Sequence, residues 1–232
     1  MPKYLAIDAS TEACSVALSL ENKVISEFEL CPQSHSIVLL PMIDRILKQA
    51  DITLSELDGL VFGRGPGSFT GVRIGVGVAQ GLAFSADLPV VGISTLQTMA
   101  QQAYEKYQQT EVIAAIDARM SEIYAGYYKL NEHGIMAAMV EETVLAPAEL
   151  SQYLKEHTRG CYGVGSGWDA YSAELTSLKT NNGSPELLFP DASAMLTIAK
   201  KEFDSGNAVS AEHAQPVYVR DTVSWKKLPG RE

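Results

Sequence analysis

Two near-repeats carry the residue types best suited to chemistry: "AIDAST" from Ala6 to Thr11 and "AIDAR" from Ala115 to Arg119. Each ends an apolar run on an aspartate. A strand would therefore deliver Asp8, with Ser10 and Thr11, into one turn and Asp117, with Arg119, into another. Hydroxyls and backbone N–H groups beside a carboxylate suit a phosphate with its Mg²⁺. The plainer reading is a polar turn in which Asp8 and Ser10 bond nearby backbone, and an Asp117–Arg119 surface pair worth little. Gly163 and Gly165, in "YGVGSGW", form a third turn that either passes close to an adenosine or simply joins strand to helix. Taken as a nucleotide site, these six residues (Asp8, Ser10, Thr11, Asp117, Gly163 and Gly165) imply ATP or ADP with Mg²⁺ and a phosphotransferase or ATPase.

The stretch "GRGPGSFTGVRIGVGVAQGLAFS", Gly63 to Ser85, is glycine-rich but matches neither the GxxxxGK[ST] nor the GxGxxG phosphate loop. Gly65-Pro66-Gly67 reads as a turn, with Ser68 or Thr70 capping a helix behind it. Within that helix Gly71, Gly75, Ala79 and Ala83 form a stripe of small residues at i, i+4. An interior glycine costs about 1 kcal/mol against alanine, so the stripe calls for close packing or binding. The preceding helix, 36–50, spreads Leu39, Leu40, Met42, Ile43, Ile46 and Leu47 over an arc of roughly 160°, wider than a surface helix needs. Burial within one chain and an interface with another subunit explain both helices equally well.

Catalytic constellations are scarce. His35, His133, His157 and His213 form neither HExxH nor HxxxH, and no GxSxG elbow is present. His35 precedes a helix and reads as a capping or packing residue. Cys14, Cys31 and Cys161 form no CxxC pair, so the spacing indicates neither a disulfide framework nor a zinc site. No catalytic residue and no metal ligand is expected.

The elements that position these residues alternate. Three strands, a helix, a strand, a helix, a strand and a helix fill the first half, and the second half begins again in the same order. That order suggests two α/β lobes, each a mixed β-sheet flanked by helices; a single doubly wound sheet is the competing layout. The lobes would span 1–105 and 106–190, with 191–232 returning to complete the first. A formal net charge of −10 over 232 residues argues against phosphate-driven nucleic-acid binding by this chain alone. No signal-peptide pattern and no membrane-length apolar run are seen, so a cytoplasmic protein without a membrane partner is expected.

The motifs "LAIDASTEACSVAL", "HSIVLLPMI", "GRGPGSFTGVRIGVGVAQGLA", "AIDARMSEIYAG", "GVGSGW" and "PVYVRDTVSWKKLPG" resemble, in order and over essentially the whole chain, the TsaB (YeaZ) family. That family serves the bacterial synthesis of threonylcarbamoyladenosine on tRNA. The resemblance implies a two-lobed actin-like (ASKHA, ribonuclease H-like) fold and kinship with TsaD, the catalytic partner. TsaD-like proteins carry an HxxxH metal pair on the helix after "LPVVGIS"; here Thr95 and Met99 hold that spacing. The chain would thus be a non-catalytic scaffold or activator, pairing with a TsaD-like subunit and a TsaE-like ATPase. It would form a homodimer when alone and meet tRNA only through the complex, any ATP or ADP with Mg²⁺ lying at the complex interface. The resemblance assigns the pairing to the first two helices, with Leu39, Met42, Ile43, Ile46, Gly71, Arg73, Ile74, Gly75, Val78, Ala79 and Leu82 as contact residues. A peptidase label borne by TsaD relatives is the remaining, weaker alternative.

Overall fold

The computed structural model describes residues 2–21, 23–154, 161–175, 178 and 187–220. Two five-stranded sheets form, one after the other along the chain. In the first, β1 (Tyr4–Asp8), β2 (Ala13–Leu20) and β3 (Lys23–Leu30) make an antiparallel meander. Strands β4 (Gly59–Gly65) and β5 (Val90–Ser94) then add in parallel on the other side of β1. The sheet order is β3-β2-β1-β4-β5. All five residues of β1 are buried, as a central strand covered on both faces requires.

The period of two along β1 sorts its side chains between two cores. Leu5 and Ile7 point to helices α1 (His35–Ala50) and α2 (Phe69–Ala86), where Leu39, Met42, Ile46, Val72 and Ala79 meet them. Tyr4 and Ala6 point the other way, to α7 (Ala192–Asp204), which brings Met195, Leu196, Ile198 and Ala199. The chain thus leaves this sheet after β5 and returns to its back face with α7.

Between departure and return lies the second sheet. It begins with α3 (Thr95–Tyr107), β6 (Glu111–Arg119) and β7 (Glu122–Leu130). Short strands β8 (Met136–Ala138) and β9 (Thr143–Leu145) both pair with β7. After α4 (Leu150–Leu154) comes β10 (Tyr162–Val164), parallel to β6, and then α5 (Ser166–Ala170) and α6 (Ser172–Leu175). Along β6, Val112, Ala114 and Ile116 face α3, whereas Ile113 and Ala115 face Trp168, Leu150 and Leu154. Helices α3 and α7 lie against each other, so each covers one sheet and touches the helix that covers the other.

The observed α1 starts one residue before the sequence-based bounds 36–50 and ends on them, and α2 starts directly after Ser68, one of the two caps the sequence offers. Ser68 Oγ accepts from Gly71 N–H at 3.3 Å, so Ser68 and not Thr70 is the cap. Two short helices, interrupted at Tyr171, occupy the stretch from Ser166 to Leu175. Strand β8 went unforeseen because three residues carry too little pattern. The loop-like segment "KTNNGSPE", 179–186, lies outside the described residues. Among the described residues no helix is long and apolar enough to cross a membrane.

Candidate partner surface and inter-lobe cleft

The turn after β1 is folded in on itself. Asp8 is 1% exposed, and its Oδ1 accepts from Ser10 N–H at 3.0 Å and from Ser10 Oγ at 2.9 Å. Thr95 Oγ1, at the start of α3, donates to Ser10 Oγ at 3.0 Å. Gly63 stands so close that a Cβ there would lie 1.8 Å from Asp8 Oδ2. Burial pushes the Asp8 carboxyl up to about 6, against the hydrogen bonds from Ser10 that pull it down. Asp8 is therefore enclosed between β4 and its own turn.

A cavity of about 400 Å³ opens beside this turn, between the two sheets. Ser10, Thr11 and Glu12 line it from one side, and Asp117, Arg119 and Tyr124 from the other. Arg119 bridges the cleft, with Nη2 at 2.7 Å from Glu12 and Nη1 at 2.8 Å from Asp117. Its backbone opens a run of three left-handed residues, φ 63°, 54° and 61° through Ser121, which folds the tight β6–β7 hairpin end. Asp117 also accepts from Tyr171 Oη at 3.1 Å.

The glycine turn is closed rather than open. A Cβ on Gly163 would lie 2.7 Å from the Trp168 ring, and one on Gly165 (φ 106°) 2.1 Å from the Ala115 carbonyl oxygen. These glycines exist for packing. Of the six nucleotide candidates, Ser10, Thr11 and Asp117 line the cleft, and Asp8, Gly163 and Gly165 do not. The six do not share one surface of the cleft: the inward carboxylate is walled off and the outward one is already held by a guanidinium. Nor do Thr95 and Met99 suit a divalent cation. The Thr95 hydroxyl is committed to Ser10, and Met99 sits in the apolar core under the second sheet.

Helices α1 and α2 correct the sequence reading in a specific way. Leu39, Met42, Ile43 and Ile46 on α1, and Gly71, Gly75 and Ala79 on α2, are buried against this chain's own β-sheet. The stripe of Gly71, Gly75, Ala79 and Ala83 serves that packing: a Cβ on Gly71 would lie 2.1 Å from the Ala9 carbonyl oxygen, and one on Gly75 3.7 Å from Ala9 Cβ. Ile74, Val78 and Leu82 are half-buried flanks of the same core. Only Arg73 of the proposed contact residues is fully at the surface.

The outward face is a different set. On α2, Gly77 and Gly81 have no atom within 4 Å of where a Cβ would stand, and Phe84 is 79% exposed. On α1, Ile37 is 74% and Leu40 49% exposed. Spaced at i, i+4, the two open glycines continue the line of Arg73 along the helix. Sequence periodicity saw one glycine stripe; the helix has two, on different sides, and the outer was missed.

The chain's later residues cross this helix. Val217 N–H donates to the Arg64 carbonyl at 2.8 Å, Gln80 to the Ala214 carbonyl at 2.7 Å, and Arg73 Nε to Tyr218 Oη at 2.8 Å. The Arg73 guanidinium also lies 3.6 Å from the centre of the Phe69 ring. Arg220 then bonds Glu122 and the Ala118 carbonyl, tying the segment to the second sheet.

One cluster was invisible in the sequence. Cys14 on β2, Cys31 just past β3 and His35 at the start of α1 bring two sulfurs and an imidazole nitrogen within 4.8 Å of one another, all buried. His35 Nε2 lies 2.6 Å from the Thr11 carbonyl oxygen. The antiparallel register, with Cys14 opposite Glu29, carries Cys31 back beside Cys14. That is a hairpin relationship no CxxC search detects.

A first sheet in the order β3-β2-β1-β4-β5, a second in the order β10-β6-β7-β8 with β9 also on β7, and a cleft between them define an actin-like α/β protein. A family model described as "TsaD: tRNA N6-adenosine threonylcarbamoyltransferase" matches residues 20–165. The tRNA threonylcarbamoyladenosine biosynthesis protein TsaB of Escherichia coli is 47% identical, over 99% of this chain and 100% of its own. Its namesake in Haemophilus influenzae is 45% identical over 98% of each. The solved structure of YeaZ from Pseudomonas aeruginosa superposes with a TM-score of 0.84 at 41% identity, covering 94% of this chain and all of that one. The chain belongs to the TsaB family, a branch of the TsaD-like proteins.

Proposed function

We propose that this chain acts in the biosynthesis of tRNA threonylcarbamoyladenosine as a non-catalytic subunit. It supports the transfer of a threonylcarbamoyl group to adenosine by pairing with a TsaD-like protein. The observation that carries the reading is identity near 47% across the full length of a relative bearing that biosynthetic name. The non-catalytic role is supported by the side chains at the cleft. Asp8 is enclosed, Asp117 is neutralised by Arg119, and Thr95 and Met99 stand where TsaD-like relatives carry imidazoles. Pairing would use the outer face of α1 and α2, with Ile37, Leu40, Gly77, Gly81 and Phe84 as contacts, and the same face would support a homodimer. ATP or ADP with Mg²⁺, and a TsaE-like ATPase, would join at the assembled complex, and tRNA would be met through the partner.

The test is a reconstitution from purified components, reading modified adenosine in tRNA by mass spectrometry. Omitting this chain should abolish or severely slow the modification. Undiminished modification without it would overturn the proposal. Threonylcarbamoyl transfer by this chain alone would overturn its non-catalytic part.

A further inference from the structure

We propose that Cys14, Cys31 and His35 bind a thiophilic divalent cation of the zinc type, held between the β2–β3 hairpin and the start of α1. Three donors of the types Zn(II) selects are gathered from three separate elements, and their ligand atoms already lie within 4.8 Å of one another. Tetrahedral Zn(II) with metal–sulfur bonds of about 2.3 Å needs its donor atoms roughly 3.8 Å apart. Closing on a cation therefore asks for a contraction on the order of 1 Å, within the reach of side-chain rotation about fixed strands.

The histidine is prepared for the task. A carbonyl oxygen only accepts, so the contact at 2.6 Å makes Nε2 the protonated nitrogen and leaves the Nδ1 lone pair free. A backbone carbonyl fixing tautomer and ring orientation in this way is the usual outer support of a metal-bound imidazole. Charge also balances. Two thiols each give up a proton to solvent, the two thiolates neutralise the 2+ cation, and the imidazole stays neutral; no electron is transferred. Burial pushes the Cys14 thiol up, so without a cation Cys14 stays a thiol and is a poor nucleophile.

Three protein donors leave a fourth position. His35 also lines the inter-lobe cavity, beside Thr11, Glu12, Pro32 and Gln33, which puts one of the three donors at the cavity wall. The site therefore lies at the joint between the β2–β3 hairpin, α1 and the cleft, on other elements than Thr95 and Met99 of α3. A cation there would pin Cys31, and with it the loop that launches α1, to the sheet.

The experiment uses the full chain, reduced and stripped of metal. Zn(II) is titrated in competition with a chromophoric chelator, and Co(II) uptake is followed by absorption. The expected result is one cation per chain and a thiolate-to-cobalt band in the near ultraviolet. C14S, C31S and H35Q should each weaken Zn(II) by more than about 100-fold, beyond the loss typical of outer-shell changes, while C161S leaves it unchanged. The cobalt band of the unsubstituted chain needs no variant to fold, and circular dichroism checks those that are compared. No uptake, uptake without a thiolate band, or unchanged affinity in a C14S/C31S double variant would overturn the proposal. Isolation of Cys14 and Cys31 as a disulfide that, once reduced, takes up no cation would overturn it equally.

Discussion

The two glycine stripes of α2 give a sharp test, because the same substitution on each should act in opposite directions. At Gly77 an added methyl meets open space. Gly77→Ala then gains only the helix preference, about 1 kcal/mol, which for a chain this long raises Tm by roughly 2–4 °C. At Gly71 the same methyl arrives 2.1 Å from the Ala9 carbonyl oxygen, a backbone atom that cannot rotate away. Ordinary contact requires the helix or the β1 turn to retreat by about 1 Å, and overpacking of that kind costs on the order of 3 kcal/mol. The helix gain offsets about a third of it, leaving Gly71→Ala less stable by about 2 kcal/mol and lower in Tm by roughly 4–8 °C. Urea unfolding and thermal scans of the two variants beside the parent measure both. A destabilised Gly77→Ala, or a neutral Gly71→Ala, would refute the division of α2 into an inner packing stripe and an open outer one.

Asp8 makes stability depend on pH. Its folded-state value of about 6 stands above the ordinary 3.8, so its contribution is fully present below about pH 4 and is lost as pH rises through 6. Asp8→Asn removes that loss and should gain as much as about 3 kcal/mol at pH 7, from about two units at 1.36 kcal/mol each. Urea midpoints from pH 4 to 7 check this, and a gain independent of pH would refute it. Ile37→Glu and Phe84→Glu change exposed side chains and should leave Tm within about 2 °C, yet abolish pairing in a solution mass measurement. Retained pairing would remove the outer face from consideration. Arg73→Ala should loosen the crossing segment, speeding hydrogen exchange at the Val217 amide, which is held by the Arg64 carbonyl. Glu12→Gln cuts one side of the exposed bridge to Arg119 and should cost less than about 1 kcal/mol in unfolding titrations.

What the sequence reveals here follows from periodicity. The apolar run in "YLAID" and the helical spacing in 36–50 are strong local patterns, and the elements stand where those patterns lie. Which side of a pattern faces inward is not local information. Gly75 and Gly77 are both small and both interior to α2, yet one faces Ala9 and the other faces solvent. Only the sheet beneath the helix distinguishes them. Gly163 failed for a related reason: its neighbour in space, Trp168, is five residues on, and a glycine that admits an indole reads like one that admits a nucleotide. The Cys14, Cys31 and His35 cluster needed strand register, which composition and spacing do not carry.

Because α7 seals the back of the first sheet, the order in which this protein is synthesised and the order in which it can finish folding are reversed. Tyr4, Ala6, Ala17, Val61, Val91 and Ile93 emerge early from the ribosome, but their cover is not translated until residue 192. Throughout the intervening stretch the nascent chain holds an apolar face without its lid. The intervening lobe can assemble most of its own core meanwhile, because α3, β6, β7 and β10 arrive as one continuous run. The first lobe is thus the last to close, and premature termination anywhere before α7 would leave a sticky, unfinished sheet for quality control to remove.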